Sequence, residues 1–461
     1  MSLEVVDPNT GATLRVVTPH GDEDVEERLN DAVSAWGKWR RTSFEHRAEV
    51  LRDLAQVIEE RADECALRMA QEMGKPVAQG VREVRKCAQV CRFYARVGPG
   101  WMADTAVDVG PGSEVRVQND ALGLVLAIMP WNYPYWQAIR FLAPALMAGN
   151  GVLLKHAART SGVCLDLESL LLDAGAPPGL VPALLIDNEA TGRLVDDPRV
   201  AAVTLTGSTG AGRAVGRRAG GALKPHVLEL GGSDPFVVLA DADVDRAAEV
   251  GAKARLQNAG QSCIAAKRFI VEEAVAQRFI EGLRAHMAAA VVGDPADPET
   301  EVGPLARQDL RRTVHEQVRL SIDAGARCVL GGEIPRGTGW FYPPTVLLDV
   351  GPGQPAWEDE IFGPVASVRV VPDAEAALEA ANESRFGLGA SVWTRDPELQ
   401  ERFAREVRAG AVFLNGMTRS DPRVPFGGVG HSGHGRELAR DGLMSFVNRK
   451  TVWRDESGRG Q

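Results

Sequence analysis

Cysteine is scarce in this chain, and a basic excess is missing. The six cysteines, at 65, 87, 91, 164, 263 and 328, are scattered over 461 residues. Sparse thiols without paired spacing exclude a disulfide framework and point to a reducing compartment, read as cytoplasmic. Cys87 and Cys91 stand one helical turn apart with no second pair and no histidine beside them, so they read as core packing rather than metal ligands. Lysine and arginine total 52 against 62 acidic residues, a formal net charge of −10. A surface for nucleic acid or an anionic membrane needs the opposite balance. No apolar run approaches the ~20 residues of a membrane span. Met1–Thr10 lacks the basic start and apolar core of a signal peptide. Also missing are the Gly-x-Ser-x-Gly elbow of serine hydrolases, metal-ligand spacings and a protease context for any of the eight histidines.

What is present is ordinary globular material. Hydrophobic residues make up 44% and charged residues 25%, which argues against disorder and for a sizeable core. At ~150 residues per domain, the length suggests about three domains or two large ones. Residues 22–95 read as helical, with Val50, Leu51, Leu54, Val57 and Ile58 at helical spacing. A Pro/Gly-rich break is expected at Gly98–Gly112. From residue 122, short apolar runs alternate with helix-length segments. The runs are Leu122–Met129, Val152–Leu154, Val181–Ile186, Val200–Thr206 and Val227–Leu230; the helices lie near 135–148, 161–174, 188–196 and 211–219. A second alternating block has candidate strands at Phe236–Leu239, Phe269–Val271, Val329–Leu330, Ala390–Trp393 and Ala411–Leu414. Continuous apolar strands between helices mark parallel sheets covered on both faces. Two α/β domains in series follow, with the crevice between them as the expected site. The tail Asp455–Gln461 reads as frayed.

Four constellations carry chemistry. First, the strand Val200–Thr206 runs into a glycine-rich turn with Gly207, Gly210, Gly212 and Gly216, then a helix. Such a helix N-terminus offers free N–H donors to a phosphate, although the spacing is not the usual dinucleotide fingerprint and a plain strand-to-helix turn fits as well. Second, Cys263 follows a Gly260–Gln261 break, where a turn can present a thiol; an incidental cysteine is the plainer alternative. Third, Glu229 sits in the apolar strand Val227–Leu230. A desolvated carboxylate there has a raised pKa and suits general-base work; a surface-edge glutamate is the alternative. Fourth, Asn132 stands between Pro130 and Pro134 at the end of the Leu122–Met129 strand, where open α/β sheets bind ligands. Its amide could stabilise an oxyanion, or the segment is simply a rigid loop.

Together and in order, these motifs resemble the aldehyde dehydrogenase superfamily over nearly the whole chain. The matching segments are Pro-Trp-Asn-Tyr-Pro (130–134), Lys155, Thr-Gly-Ser (206–208), Glu-Leu-Gly-Gly (229–232), Gly-Gln-Ser-Cys (260–263), Glu-Ile-Phe-Gly-Pro (360–364) and Pro-Phe-Gly-Gly (425–428). Segments 153–157, 228–236 and 342–346 resemble the bacterial succinate-semialdehyde dehydrogenase branch. The resemblance implies two α/β domains with parallel-sheet cores and a small β oligomerisation segment. Residues 1–110 and 121–228 would form a Rossmann-like cofactor domain and 229–425 the catalytic domain. Segments 111–120 and 440–461 would serve assembly into a homodimer or homotetramer, with Glu114–Asn119 and Lys450–Trp453 as the strands involved.

The implied reaction is oxidation of a small aldehyde to its acid with NAD or NADP, an oxidoreductase activity on the aldehyde group of the donor. Cys263 would add to the carbonyl, Asn132 and the Cys263 N–H would hold the oxyanion, and hydride loss to the nicotinamide would leave a thioester. Glu229 would activate water to hydrolyse it. The resemblance assigns Lys155 to the adenine ribose, Ser208 to the pyrophosphate and Glu360 to the nicotinamide ribose. Phe362 would lie beside that ring, Gly207 and Gly212 would shape the turn, and Trp131, Thr206 and Leu230 complete the cofactor cleft. No metal is implied.

Departures from the family pattern also carry information. Ala158 stands where NAD-preferring relatives often hold a glutamate, with His156 and Arg159 nearby, so NADP is expected alongside NAD. Arg140, eight residues after Asn132, matches an arginine that grips a distal carboxylate, a task suited to bidentate pairing. A second such arginine is replaced by Gln257, leaving Arg268, Ser420 and the loop Arg419–Arg423 to compensate. Ala265 removes the neighbouring-cysteine redox switch of some relatives. The expected substrate is succinate semialdehyde. Another biosynthetic or aromatic aldehyde, or a non-catalytic cofactor-binding role, are the alternatives.

Overall fold

The computed structural model describes residues 3–111 and 113–455. Four helices open the main body, Asp22–Trp39, Phe44–Glu60, Ala62–Met73 and Val77–Met102. The last overturns the expected break at Gly98. It runs through Gly98, Pro99 and Gly100 because it packs tightly on the helix Pro134–Ala148, and any side chain at 98 would overlap Met147. Tertiary packing here overrides local composition.

A five-stranded sheet follows, in the order Gly433–His434, His226–Glu229, Val200–Thr206, Leu124–Met129, Gly151–His156. It is parallel except for the short Gly433–His434 strand. Leu124–Met129 and Gly151–His156 are buried at every residue, as unbroken apolar runs in a doubly covered sheet require. The expected strand Val181–Ile186 is a looser extended segment with a single bridge, Leu154 to Ala183. Pro182 within it has no N–H to give to a ladder. Side-chain caps start the helices where the sequence reads helix: Asp187 accepts from the Ala190 N–H and Ser208 from the Ala211 N–H.

The second sheet has seven strands, in the order Arg327–Leu330, Thr345–Leu348, Val365–Val371, Ala266–Glu272, Asp234–Val238, Gly389–Trp393, Ala411–Leu414. Only Arg327–Leu330 pairs antiparallel. Thr345–Leu348 and Val365–Val371 are strands that the sequence pattern had not revealed. A third, antiparallel sheet joins Val447–Asp455, Ser113–Ala121 and Thr105–Val107, with Arg449 opposite Asn119. The two segments expected to serve assembly thus pair with each other inside one chain. Of the tail expected to fray, Asp455 ends a strand and 456–461 lie outside the described residues. No helix among the described residues is long and apolar enough to cross a membrane.

Candidate active site

The loop that carries Cys263 is held in a costly conformation. Asn258, Ala259 and Gly260 have φ of 55°, 52° and 73°, the left-handed region that side chains avoid. Gly260 is also pressed against the Gly363 carbonyl, where a Cβ would overlap. Three groups fix the loop. Arg255, wholly buried, donates to the Gly260 carbonyl at 2.5 Å. Lys267 donates to the carbonyls of Ser262 (2.9 Å), Cys263 (2.8 Å) and Ala265 (3.3 Å). Gln261 accepts from the Ala306 N–H at 2.8 Å. Cys263 itself is partly exposed, the other thiols except Cys328 being buried. Burial pushes its thiol up to about 12, with Lys267 and Arg140 opposing.

Asn132 comes from the far side, at the end of the Leu124–Met129 strand. Its Nδ2 donates to the Gln261 carbonyl at 3.0 Å, two residues before the thiol. Its own carbonyl accepts from Asn258 Nδ2 (2.8 Å) and Lys75 Nζ (2.9 Å). One amide hydrogen is therefore fixed and the other is left over. The Cys263 N–H has no partner among the described residues.

Glu229 ends its strand beside Thr206 and Gly433 in register. It is 2% exposed, and neither carboxylate oxygen has a hydrogen-bond partner. Burial first, then the neighbouring Glu437 carboxylate, raise its pKa well above the usual carboxylate range, while Arg140 and Arg436 oppose. Gly427 of the Pro-Phe-Gly-Gly segment makes room for it: a Cβ there would lie 2.6 Å from Glu229 Oε1. Gly232 similarly lets the chain pass the Cys263 carbonyl, which a Cβ would meet at 2.7 Å.

The expected cofactor residues gather along the first sheet and the cleft beyond it. Glu360 accepts from the Gly232 N–H at 3.0 Å, lies 3.6 Å from Lys267 Nζ and rests on Gly231. Trp131 meets Phe362 edge to face at 5.7 Å. Leu230 packs into the space above Gly212, whereas Gly207 has only ordinary contacts. Ser208 caps the helix Thr209–Gly221. Thr206 Oγ1 is buried without a partner. Lys155 is buried with no carboxylate in ion-pair range among the described residues, and burial lowers its pKa. Unfilled donors beside a helix N-terminus, a glycine-lined turn and a buried lysine fit a dinucleotide. His156 and Arg159 do not join this set. Burial drives His156 down to about 3, so it is neutral. Arg159 donates to the Val6 carbonyl at 2.8 Å and stacks on Trp340.

The expected substrate residues divide. Arg140 is 3% exposed, pairs with Glu437 and lies over Phe426 at 4.7 Å. Its Nη2 is buried without a hydrogen-bond partner. Ser420 is buried and accepts from Lys86 Nζ at 2.6 Å. Arg268 must be removed from the substrate set. Its guanidinium is spent on the carbonyls of Ser233 (3.0 Å), Ala380 (2.8 Å) and Ala381 (2.9 Å), and it stacks on Trp357. Arg419 and Arg423 do not compensate either: both are exposed, and Arg423 pairs with Asp421. Gln257 is exposed as well. Sequence reasoning missed Lys267, Glu437 and Lys86. Lys267 had a readable signal, a charged pair Lys267–Arg268 running into the apolar Phe269–Val271 at the start of the strand Ala266–Glu272, an anomaly akin to the one that singled out Glu229.

A partly exposed thiol on a strained turn, an asparagine amide tied to that turn and, among the described residues, a buried carboxylate without hydrogen-bond partners and a buried unpaired lysine at the end of a parallel strand agree with one class: a cofactor-dependent oxidoreductase. The aldehyde dehydrogenase family model matches residues 1–452, and the chain belongs to that family. It is 47% identical over 453 residues to a probable NADP(+) succinate-semialdehyde dehydrogenase of Synechocystis sp., covering 98% of this chain and 100% of that protein. It is 46% identical over 450 residues to an NAD(P)+ succinate semialdehyde dehydrogenase of Escherichia coli, covering 98% and 97%. Its fold matches a succinic semialdehyde dehydrogenase from Streptococcus pyogenes solved with NADP+, with TM-score 0.95, 35% identity and coverage of 97% and 99%.

Proposed function

We propose that this enzyme oxidises succinate semialdehyde to succinate with NAD or NADP. The observation that carries the reading is the convergence of Arg140 on the thiol site. Its charge lowers the pKa of both Cys263 and Glu229, and it keeps an unbonded Nη2 for a carboxylate. A four-carbon semialdehyde brings an aldehyde and a carboxylate to these two places at once. The names of the full-length relatives agree with this substrate and with either cofactor.

Cys263 Sγ gives its proton to solvent and bonds to the aldehyde carbon. The oxygen gains charge between the free Asn132 amide hydrogen and the Cys263 N–H. A nicotinamide held in the site would supply the hydride acceptor, and loss of hydride leaves Cys263 carrying a thioester. Glu229, once ionised, takes a proton from water as the water attacks that thioester, and succinate leaves with the thiol restored. Lys155, Ser208, Thr206 and Glu360 are the groups that hold the dinucleotide, with Gly207 and Gly212 shaping the turn and Trp131, Leu230 and Phe362 supplying apolar walls. Ala158 places no carboxylate against a 2′-phosphate, which supports use of NADP.

Residues 1–110 with 121–228 form the cofactor part, and 229–425 the catalytic part, in this reading. Assembly into a homo-oligomer through 111–120 and 440–461 is supported by exposed apolar residues on and beside the small sheet, Val107, Val109 and Trp453. A cytoplasmic setting agrees with the free thiols. The test is steady-state kinetics with succinate semialdehyde and butanal, each with NAD and NADP. The expected result is a kcat/KM at least a hundredfold higher for succinate semialdehyde, falling toward parity in Arg140→Ala. Equal kcat/KM for the two aldehydes in the wild type refutes the substrate.

A further inference from the structure

Arg140 alone does not make the pocket cationic, because Glu437 already neutralises it. The unbalanced charge belongs to a residue on a different helix. Lys86, on Val77–Met102, reaches over the Trp136 ring with Nζ 4.1 Å from its centre and donates to Ser420 Oγ at 2.6 Å. Trp136 and Arg140 lie one turn apart on the same helix face, so the lysine, the serine and the arginine form one cluster.

No carboxylate lies within ion-pair range of Lys86 among the described residues. The acids nearest to it in effect are occupied. Glu83 is held by Lys75 and by the N–H groups of Tyr135 (3.1 Å) and Trp136 (3.0 Å). Asp421 is held by Arg423 at 2.8 and 2.7 Å. A half-buried ammonium that packs on an indole and bonds only a hydroxyl is unusual, since buried charges are normally paired.

We propose, resting on the substrate reading above, that Lys86 is a second cation of the substrate site and, with Arg140 Nη2 and the Ser420 hydroxyl, holds the distal carboxylate of the semialdehyde. The local charge count agrees: Arg140, Glu437 and Lys86 leave one positive charge, which a single carboxylate balances. Burial, aided by Arg140, pushes the ammonium down to about 8, the condition of a cation lacking its counter-ion. Lys86 also replaces the second arginine whose position Gln257 occupies, from a quite different part of the chain.

The experiment compares wild type, Lys86→Met and Lys86→Arg with succinate semialdehyde and with butanal, thermal melts confirming that each variant is folded. Methionine keeps the length and apolar stem of lysine and removes the charge. The ratio of kcat/KM for succinate semialdehyde to that for butanal should fall at least tenfold in Lys86→Met, mainly through KM. Lys86→Arg should recover part of the loss. A wild-type ratio retained in a folded Lys86→Met overturns the role of Lys86 and leaves the reaction intact. If Lys86→Met does not fold, the same comparison is made with Lys86→Gln. A wild type with no preference for succinate semialdehyde overturns the substrate reading itself, and this proposal with it.

Discussion

Cys263, the proposed nucleophile, has surroundings that keep it protonated at rest. Burial raises its pKa to about 12 and only Lys267 and Arg140 pull it down. Because the thiolate is the reactive form, the thiolate fraction grows roughly tenfold per pH unit below that pKa. Alkylation of the cofactor-free enzyme by iodoacetamide should therefore accelerate from pH 7 to pH 10 without levelling off. A plateau near pH 8 contradicts this. Glu229 behaves in the same direction. Its raised pKa means that the carboxylate forms only as pH rises, so thioester hydrolysis should rise with pH too. Glu229→Gln removes the base altogether. Its steady-state kcat should drop about a hundredfold or more, while a first-turnover burst of reduced cofactor at 340 nm survives. Loss of the burst as well assigns Glu229 a part in activating Cys263.

At the scale of elements, the turn between the helix Val244–Leu256 and the strand Ala266–Glu272 decides where the thiol stands. Gly260 has φ of 73° and touches the Gly363 carbonyl, so Gly260→Ala adds both backbone strain and a clash. A melting curve should show a loss of more than about 1 kcal/mol, with kcat lowered along with it because this turn ties Asn132 to the Gln261 carbonyl, two residues before Cys263. A stable Gly260→Ala variant with full kcat disproves that coupling. The glycines at 231, 232 and 427 work differently. They provide room, letting Glu360, the Cys263 carbonyl and Glu229 approach the backbone closely. Gly207 shows no such contact: a Cβ there would meet only ordinary neighbours.

For the whole molecule, the net charge of −10 opposes an anionic substrate, and the attraction has to be local. Arg140 and Lys86, the proposed sources, come from two helices that meet only in the folded chain. The small antiparallel sheet is the other whole-molecule feature. A chain ending at Phe446 loses the pairing of Val447–Asp455 with Ser113–Ala121 and bares a sheet edge. Sedimentation should show a smaller species than the full chain gives. An unchanged sedimentation coefficient excludes the last strand from assembly.

The strand-and-helix alternation was legible because apolar runs buried on both faces look alike wherever they occur: Val200–Thr206 and Ala411–Leu414 were read to the residue. The edges of the second sheet were harder. Thr345–Leu348 follows a proline-rich stretch, and Val365–Val371 carries Arg369 in its apolar run, so neither stood out. The candidate residues Cys263, Glu229 and Asn132 stand out in the sequence because each breaks its local pattern, a thiol after a turn, an acid in an apolar strand, an amide between prolines. Arg268 shows the limit of such reasoning. Offered as a substrate residue, it is bound to backbone carbonyls instead, since only the fold brings Ala380 and Ala381 to it. Lys86 shows the converse, an unremarkable lysine on a helix surface until Trp136 and Ser420 fold against it. Local sequence determined most elements and marked the candidate reacting groups, because propensity and motif chemistry act over a few residues. The tertiary structure alone decided which charges are neutralised and which remain for a ligand, because ion pairing depends on distance in space and not along the chain.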